Sequence, residues 1–575
     1  MAISLEKYHA VPRIGDSTIE NPMAGETDTM DAMRRGTMID TPQAPTPQLA
    51  TRLPATRLPA TRLPATRLAT THLAPQLAPT QLAPTLPAAK PAAGSTRRRR
   101  RLGPVRSCLA LLALLSGCST LDNVTSSVLG NNGPPPGQPG YVAGFLGGVV
   151  ADEPRAVLAG REMLSAGGTA ADAAVAVGLT LAVTYPSRAG LGGGGACIAY
   201  GPAPRSTARG LPEAVMFTPA APASPGPGAD RPAAVPLMVR GMFLLQARYG
   251  NQSFDAMVTQ AEQLARAGVP VSRALAKDLA VVSGPLLADP NARAVFSHNG
   301  VALTEGQLLQ QPDLASTLAQ IRTAGVGDMY QGNLAHRIEV ASAQIGGPLQ
   351  FSDLRAALPK LARPLVRNYR NDKVAFLPPP ADGGLGAEAA FDVLVRNPND
   401  TAAAMARALA VVARFRAGGI TPEAVLAAHD LPSPDPTPFP ASTSFVTLDR
   451  FGDSVACALT MNNLFGTGRI MPGLGFLAAA SPAAVPPPLL SAGLVWNDNI
   501  KAFRAAAAGS GQAGAPLAVA DALINTLRTD RPMSVPVPEP GRANVIACGQ
   551  YLPGENGRCG WANDPRQYGL ALGAN

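Results

Sequence analysis

The stretch STSFVTLDRFGDSVACALTMNNLFGTG, Ser442–Gly468, places three hydroxyl residues directly ahead of a pattern typical of a β-hairpin. Apolar and polar residues alternate after Ser442, a turn follows, and a second apolar run leads to Thr460 and Asn462. This alternation predicts two strands joined by a short connection. A cluster of hydroxyls at the start of a strand, far from both ends of the chain, calls for a chemical explanation.

Upstream of this hairpin, from about Tyr141, the apolar spacing indicates helices alternating with strands. PRAVLAGREMLSAGGTAADAAVAVGLTLAVTY predicts two helices separated by Gly167-Gly168. SRAGLGGGGACIAYGP predicts a glycine turn that enters a strand, and KVAFLPPPADGG predicts a strand that ends in a rigid turn. SFDAMVTQAEQLARAGVPV and TAAAMARALAVVARFRAGG predict amphipathic helices ended by glycines. The alternation predicts a layered α/β domain.

Residues 1–96 have a different composition. Of the 575 residues, 58 are Gly and 58 are Pro, well above the usual share of about 12 %. ATRLPATRLPATRLPATRL carries a proline in most repeats, and proline at this frequency blocks both helix and sheet. We therefore expect residues 1–96 to be disordered. Much of the net charge of +9 lies here and in Arg97–Arg101, so the charge does not indicate nucleic-acid binding.

RRRRRLGPVRSCLALLALLSGCSTL has the plan of a secretory signal, with a basic segment, a short apolar core and small residues before Cys118. The core is shorter than the roughly 20 apolar residues that span a bilayer. LSGC, residues 115–118, resembles a bacterial lipobox, in which the cysteine is lipidated, so we assign 97–118 as a signal peptide. The proline-rich linker at 119–140 disfavours the alternative of a buried helix. Because signals lie at an N-terminus, we hypothesise that translation begins near Val105.

The run Gly190–Gly195 satisfies the pattern GxGxxG. A dinucleotide site needs a strand, the loop and then a helix, so that the phosphate meets a helix N-terminus. Here a helical pattern precedes the loop and a short strand, 196–200, follows it, so nucleotide binding is disfavoured. Two interpretations stay open for the glycines: a tight packing turn, or a position beside an active site.

The six cysteines and five histidines form no metal-binding pattern, since no CxxC occurs and the histidines are scattered. No feature of the sequence demands a metal or an organic cofactor. Cys548 and Cys559 bracket a turn-rich loop, and we expect a disulfide between them in an oxidising compartment. Cys197 and Cys457 lie in apolar strands, where we expect packed core thiols.

Together these motifs resemble the γ-glutamyltranspeptidase family. AGGTAADAAVAVGLTLAVTYPSRAGLGGGGACIAY is similar to the family's GGNAxDAAVAxxLxLxVxxPxxSGIGGGG. GDMYQGNLAHRI, GGPLQFSDLRAA, PPPADGG and LDRFGDSVACALTMNNLFGTG follow in the order of the family's later motifs. The resemblance extends from about Gly147 to Leu523.

The resemblance implies an N-terminal-nucleophile hydrolase, which is an αββα four-layer sandwich. Such a precursor cuts itself once, and the new N-terminal residue becomes the nucleophile with its own α-amine as base. A hydroxyl needs a base beside it, and an α-amine with a pKa of about 8 can serve. The chain would then divide into a large-subunit-like region, 141–441, and a small-subunit-like region, 442–575.

At the family's Thr-Thr-His site this chain reads Ser-Thr-Ser, so the resemblance places Ser442 as the nucleophile, with cleavage after Ala441 and Thr443 as the fallback. Thr460 matches a second threonine that assists self-cleavage. The alternative is that these are ordinary strand hydroxyls. The substrate-binding positions implied by the resemblance are Asn462, Ser491, Gly509, Ser510 and Gly511, the last three within an oxyanion segment that extends to Gly514.

Two charged anchors of the family are absent. The family holds the γ-glutamyl α-carboxylate with an arginine where this chain has Thr218, and its acidic residue for the α-amine falls near Ala484. Each lost charged hydrogen bond is worth about 1.5–3 kcal/mol, which puts ordinary γ-glutamyl recognition in doubt. Arg188 is a candidate for a relocated cation, and the alternative is an exposed loop arginine.

Three functions fit the sequence. The first is a self-processing amide hydrolase or acyltransferase for γ-glutamyl compounds such as glutathione, or for a related amide. The second is a catalytically inactive family member that acts as a binding or structural lipoprotein in the cell envelope, and the third is an acylase for a more apolar amide. The expected partners are a small amide or peptide, the chain's own cleaved subunit and the membrane through a lipid anchor, with no nucleic acid. The expected location is the bacterial cell envelope, facing the periplasm.

Overall fold

The computed structural model describes residues 146–201, 210–223, 229–432, 440–554, 558–566 and 568–574. The expected disordered segment 1–96, the signal sequence 97–118 with Cys118, and the linker 119–140 lie outside the described residues. None of the described helices is long and apolar enough to cross a lipid bilayer.

The longer strands of the molecule form its two large sheets. In chain order, the strands of the described residues are β1 (Gly147–Ala151), β2 (Gly194–Tyr200), β3 (Glu213–Phe217), β4 (Val269–Pro270), β5 (Ser297–His298), β6 (Val301–Ala302), β7 (Leu308–Leu309), β8 (Lys360–Ala362), β9 (Leu365–Tyr369), β10 (Asp372–Phe376), β11 (Ser442–Asp449), β12 (Ser454–Thr460), β13 (Ser491–Asn497), β14 (Ala502–Ser510), β15 (Arg542–Leu552), β16 (Cys559–Asn563) and β17 (Leu570–Ala574).

Helices precede, connect and follow these strands. The helices of the described residues are α1 (Pro154–Ser165), α2 (Ala170–Thr184), α3 (Met238–Tyr249), α4 (Phe254–Ala267), α5 (Arg273–Leu286), α6 (Pro290–Phe296), α7 (Pro312–Ala324), α8 (Asp328–Gln331), α9 (Asn333–Gln344), α10 (Phe351–Ala356), α11 (Gly383–Arg396), α12 (Thr401–Arg416), α13 (Pro422–Ala427) and α14 (Ala515–Thr529), with a 3-10 turn at Gln512–Gly514 before α14.

The long strands form two antiparallel sheets, ordered β17-β1-β11-β12-β2-β3-β8 and β16-β15-β14-β13-β10-β9. The hairpin predicted from Ser442 onward is β11 and β12, in the middle of the first sheet. Both sheets combine strands from before and after residue 441, so the regions 141–441 and 442–575 are interleaved. The division of the chain at that point stays a prediction.

Apolar side chains fill the spaces between four layers. Alternation along β11 sends Val446 and Leu448 into the space between the two sheets, and Phe445 towards the helices on the outer face. Helices α1 and α2 belong to that outer layer, whereas α11 and α14 cover the outer face of the second sheet. The predicted αββα four-layer sandwich is confirmed.

The hairpin is bound to helix α2 by polar contacts as well as by packing. Thr169 begins α2 with a capping box, in which its hydroxyl accepts from the N–H of Asp172 and the Asp172 carboxylate accepts in return. The carboxylate of Asp449, at the end of β11, accepts from the N–H of Ala170 at 3.1 Å. The hydroxyl of Thr447 donates to the carbonyl of Ala170 at 2.7 Å. These contacts hold β11 in place against the helix layer.

Two disulfides connect neighbouring strands. Cys548 of β15 is bonded to Cys559 of β16. Cys197 of β2 and Cys457 of β12 lie directly opposite each other and are also bonded, with 4.1 Å between their Cα atoms. The expectation that Cys197 and Cys457 are free core thiols is therefore wrong. Both are fully buried, as expected, but the strand register brings them into bonding range, and register is not visible in the sequence.

Candidate active site

A cleft of about 330 Å³ lies at one end of the two sheets, where β1 ends, β11 begins and β14 ends. Its walls include Asp152 after β1, Ala441 before β11, and Ser510–Gln512 where β14 ends. Arg542, at the start of β15, lies on the same side. The cleft therefore lies beside Ala441, the residue that precedes Ser442.

Ser442 is the first residue of β11 and lies directly opposite Thr460 of β12. Opposite residues of an antiparallel pair share one face of the sheet. Ser444, the next residue on that face, donates its hydroxyl to the carbonyl of Ala508 in the second sheet at 3.1 Å. Ser442 and Thr460 therefore face the space between the sheets. Ser442 itself is buried outside the cleft lining, whereas the preceding Ala441 lines the cleft.

The hydroxyl of Thr460 donates to the carbonyl oxygen of Ala441 at 2.9 Å. The same hydroxyl accepts from the N–H of Asn462 at 2.8 Å, which directs its proton towards Ala441. A buried hydroxyl therefore already donates to the carbonyl oxygen of the peptide bond that we predict to be cleaved. Such a donor stabilises the negative charge that develops on that oxygen during nucleophilic attack.

Thr443 points to the opposite face of the sheet. Its hydroxyl donates to Oδ2 of Asp152 at 2.9 Å, and the N–H of Ser444 donates to the same oxygen at 3.1 Å. Oδ1 of Asp152 accepts from the side chain of Asn544 at 2.6 Å. Because the Thr443 hydroxyl lies on the other face from Thr460, the geometry favours Ser442 as the nucleophile. The assignment of Ser442 stays a prediction.

Arg188 lies in the turn after α2, and its side chain is only 23 % exposed, so its interpretation as an exposed loop arginine is wrong. Its guanidinium donates to the carbonyl of Ser442 at 3.1 Å and makes two bonds to the carboxylate of Asp278 in α5, at 2.7 and 2.8 Å. Although burial by itself lowers the pKa of Arg188, the hydrogen bonds and negative charge of Asp278 raise it above its ordinary value. The guanidinium therefore stays charged.

Asp278 and Tyr185 were not predicted as site residues, although both line the cleft. Asp278 had a weak sequence signal, since it is an acidic residue on the buried face of α5 between Leu275 and Leu279. Burial raises the pKa of Tyr185 well above its ordinary value, so the phenol stays neutral. At the mouth of the cleft, the exposed Lys277 lies over the ring of Tyr568.

The predicted substrate-binding residues separate into two groups. Ser510 and Gly511 line the cleft, as does the neighbouring Gln512. Asn462 is buried, and its side-chain N–H donates to the carbonyl of Ala480 at 2.9 Å. Ser491 and Gly509 face each other across β13 and β14. Asn462, Ser491 and Gly509 are buried residues outside the cleft lining.

The two positions where the family carries charged anchors also lie away from the cleft. Thr218 is half-buried after the end of β3, and Ala484 is exposed in a turn. Neither residue lines the cleft. In the described part of the chain, no three His, Cys, Asp or Glu side chains are grouped closely enough to hold a metal ion.

The glycine run packs tightly against the strand that carries Thr460. A Cβ atom on Gly193 would lie 2.4 Å from the carbonyl oxygen of Thr460, and one on Gly195 would lie 2.4 Å from that of Ala458. Both interpretations of the run therefore apply, because the packing turn lies beside the candidate site.

Two stacked sheets between helix layers, with a hydroxyl residue at the start of a strand and facing the space between them, define the N-terminal-nucleophile hydrolase fold. A solved structure of this fold is cephalosporin acylase from Bacillus halodurans, which superposes with a TM-score of 0.63. The two proteins are 20 % identical, and the match covers 76 % of this chain and 98 % of that one.

Residues 156–413 of the chain match the model of the γ-glutamyltranspeptidase family. The chain is 32 % identical over 256 residues to the glutathione hydrolase proenzyme of Escherichia coli (strain K12), and 30 % over 253 residues to that of Bacillus subtilis (strain 168). Each match covers 42 % of this chain and 43 % of the relative, so the chain spans less than half the length of these relatives. The family match ends before Ser442, whose assignment depends on the hairpin motif and the geometry.

Proposed function

We propose that this protein cleaves its own Ala441–Ser442 bond and then uses Ser442 to hydrolyse or transfer an amide-linked acyl group. The observation that carries the proposal is the 2.9 Å hydrogen bond from the Thr460 hydroxyl to the carbonyl oxygen of Ala441. This donor lies where the oxyanion would develop during attack on Ala441.

In the first reaction the Oγ of Ser442 attacks the carbonyl carbon of Ala441, and Thr460 stabilises the oxyanion. The C–N bond breaks, the serine proton passes to the leaving nitrogen, and an ester joins Ala441 to the Oγ of Ser442. Water then hydrolyses the ester, which leaves a carboxylate on Ala441 and a free α-amine on Ser442. In later turnovers this amine accepts the proton of Oγ, because its pKa of about 8 suits a base near neutrality.

Reduced and non-reduced denaturing gels test the cleavage. Cleavage separates Cys197 from Cys457 by sequence, but the disulfide between them joins the two fragments covalently. We therefore expect one band without reductant, two bands with it, and a fragment whose N-terminal sequence is Ser442-Thr443-Ser444. Replacing Cys197 and Cys457 together by Ala should give two bands without reductant. A single band after reduction would favour the alternative of an uncleaved envelope protein.

The substrate is proposed to be a γ-glutamyl compound such as glutathione, or a related amide. The curated relatives named glutathione hydrolase proenzyme support the γ-glutamyl class. The second candidate is an acylase for a more apolar amide, which is favoured by Ala274, Val281 and Leu464 in the cleft walls.

A matched pair of chromogenic amides distinguishes these two candidates. γ-Glutamyl-p-nitroanilide carries an α-carboxylate and an α-amine, whereas butyryl-p-nitroanilide carries neither. If the γ-glutamyl class is right, we expect kcat/KM to be at least about tenfold higher for the first, because each charged hydrogen bond contributes about 1.5–3 kcal/mol. A preference for the butyryl compound would instead support the apolar acylase.

We also propose that the mature protein is anchored in the bacterial cell envelope through a lipid on Cys118 and faces the periplasm. The two disulfides support an oxidising compartment. The test is mass spectrometry of the mature protein, with a lipidated N-terminal peptide at Cys118 as the expected result. Peptides from residues 1–96 in that material would contradict the proposal.

A further inference from the structure

We propose that Arg188, held by Asp278, is a positioning residue that keeps Ser442 and its new α-amine in register after the chain has been cut. This inference depends on the self-cleavage proposed above. It concerns the step after cleavage, when Ser442 becomes a chain terminus.

The start of β11 is paired on one side only. On the β12 side the ladder continues to Ser442, opposite Thr460. On the β1 side the ladder ends where Ala151 pairs with Phe445, so residues 442–444 extend beyond β1. A buried backbone segment without a neighbouring strand needs other partners for its polar groups.

Two side chains take the place of the missing strand. The N–H of Ser444 donates to the carboxylate of Asp152 at 3.1 Å, and the carbonyl of Ser442 accepts from Arg188 at 3.1 Å. Before cleavage, the preceding residues Pro440 and Ala441 also restrain Ser442. After cleavage that covalent restraint is lost, and chain termini fray unless other contacts hold them. The hydrogen bond from Arg188 to the Ser442 carbonyl then provides a larger share of the restraint on Ser442.

Arg188 is itself oriented by a planar two-bond contact. Its Nε and Nη2 donate to the two carboxylate oxygens of Asp278 at 2.7 and 2.8 Å, and the hydroxyl of Ser187 donates to Oδ2 of Asp278 at 2.7 Å. This fork geometry is specific to arginine, because a lysine ammonium is a point donor on a flexible stem. Asp278 lies on α5, so the contact connects the nucleophile to a helix of the outer layer.

The charge of Arg188 also acts on the new amine. The amine nitrogen and the carbonyl oxygen belong to the same residue, so the guanidinium lies close to both. A nearby cation disfavours the protonated amine and lowers its pKa, which increases the fraction of neutral base at neutral pH. The other titratable groups that line the cleft are Asp152, Tyr185, Lys277, Asp278, Glu539, Arg542, Arg566 and Tyr568.

The test compares Arg188→Gln and Arg188→Lys with the wild type. The control is Arg396→Gln, an exposed arginine at the end of α11 whose partner is Asp392. Two quantities are measured on the cleaved protein. The first is the pKa of the Ser442 α-amine, from the pH dependence of its acetylation by acetic anhydride, followed by mass spectrometry. The second is kcat against pH, with whichever of the two anilides the wild type hydrolyses.

For Arg188→Gln we expect an amine pKa about one unit higher, an acid limb of the kcat profile that moves with it, and a kcat roughly 10- to 100-fold lower. For Arg188→Lys we expect the wild-type pH profile with a kcat about tenfold lower, since the charge is kept and the fork is lost. Arg396→Gln should match the wild type in both quantities.

The outcomes separate the two proposals. If the wild type does not cleave at Ser442, the proposed function and this inference fail together. If it cleaves but Arg188→Gln keeps the wild-type amine pKa and kcat, only the inference is overturned. Should Arg188→Gln fail to fold, Arg188→Lys decides the matter, because an unchanged kcat in that variant rules out the positioning role.

Discussion

Ser442→Ala is expected to leave the protein as one uncleaved chain and to lower amide hydrolysis by about 10⁶-fold, the loss typical of removing a nucleophile. The variant lacks the oxygen that attacks the carbonyl of Ala441, so the α-amine that serves as base in later turnovers is never released. Ser442 is buried at the first position of β11, and alanine is smaller than serine. The fold should therefore be retained.

Three variants make this prediction specific. In reduced gels, Ser442→Ala should give one band, whereas Ser442→Thr, which keeps a hydroxyl at the same position, should still give two. Thr443→Ala should also give two bands, with a stability loss of about 1–3 kcal/mol because Asp152 loses a partner. If Thr443→Ala abolishes cleavage and Ser442→Ala does not, Thr443 is the nucleophile and the geometric argument for Ser442 is wrong.

Thr460→Val is expected to slow self-cleavage by about 10²- to 10³-fold, as removal of one oxyanion donor does in other enzymes. Valine has nearly the same shape as threonine, so the change removes the hydroxyl with little effect on packing. The bond from Thr460 to the carbonyl oxygen of Ala441, 2.9 Å long, disappears. The N–H of Asn462 also loses its acceptor, and we expect a stability loss of about 1–3 kcal/mol from that change.

The rate is measured as the fraction of cleaved chain against time after synthesis, from intact mass spectra of reduced samples. Thr447→Val is the matched control, because Thr447 is also a buried strand threonine whose hydroxyl donates to a backbone carbonyl, that of Ala170 at 2.7 Å. Thr447 lies outside the cleft lining, so its variant should cleave at the wild-type rate. Equal rates for Thr460→Val and Thr447→Val would remove Thr460 from the reaction.

Much of the fold could be predicted because its signals are local. The helices on either side of Gly167-Gly168, the strand after the glycine run and the Ser442 hairpin each depend on side-chain periodicity within one segment. The long ordered motifs placed these segments in one family, and the four-layer arrangement follows from that family. The pairing of Ser442 with Thr460 agrees with a hairpin register that the short turn restricts.

Other parts of the site could not be predicted because they join distant segments. Arg188 and Asp278 are 90 residues apart, and their contact depends on how α5 packs beside the turn after α2. The bond between Cys197 and Cys457 spans 260 residues and depends on the register of β2 against β12. Asn462 was predicted to bind substrate, but its side chain is bonded to Ala480 in the structure.

By itself the sequence determined the main helices and strands around the site and the hydroxyl residue at the head of a strand, because periodicity and turn chemistry act over a few residues. The sandwich architecture was expected from the resemblance to a family. Only the tertiary structure decided which carbonyl Thr460 contacts, which face Thr443 occupies and which cation reaches Ser442. These contacts depend on strand register and on packing between layers, where a shift of one residue turns every side chain to the opposite face.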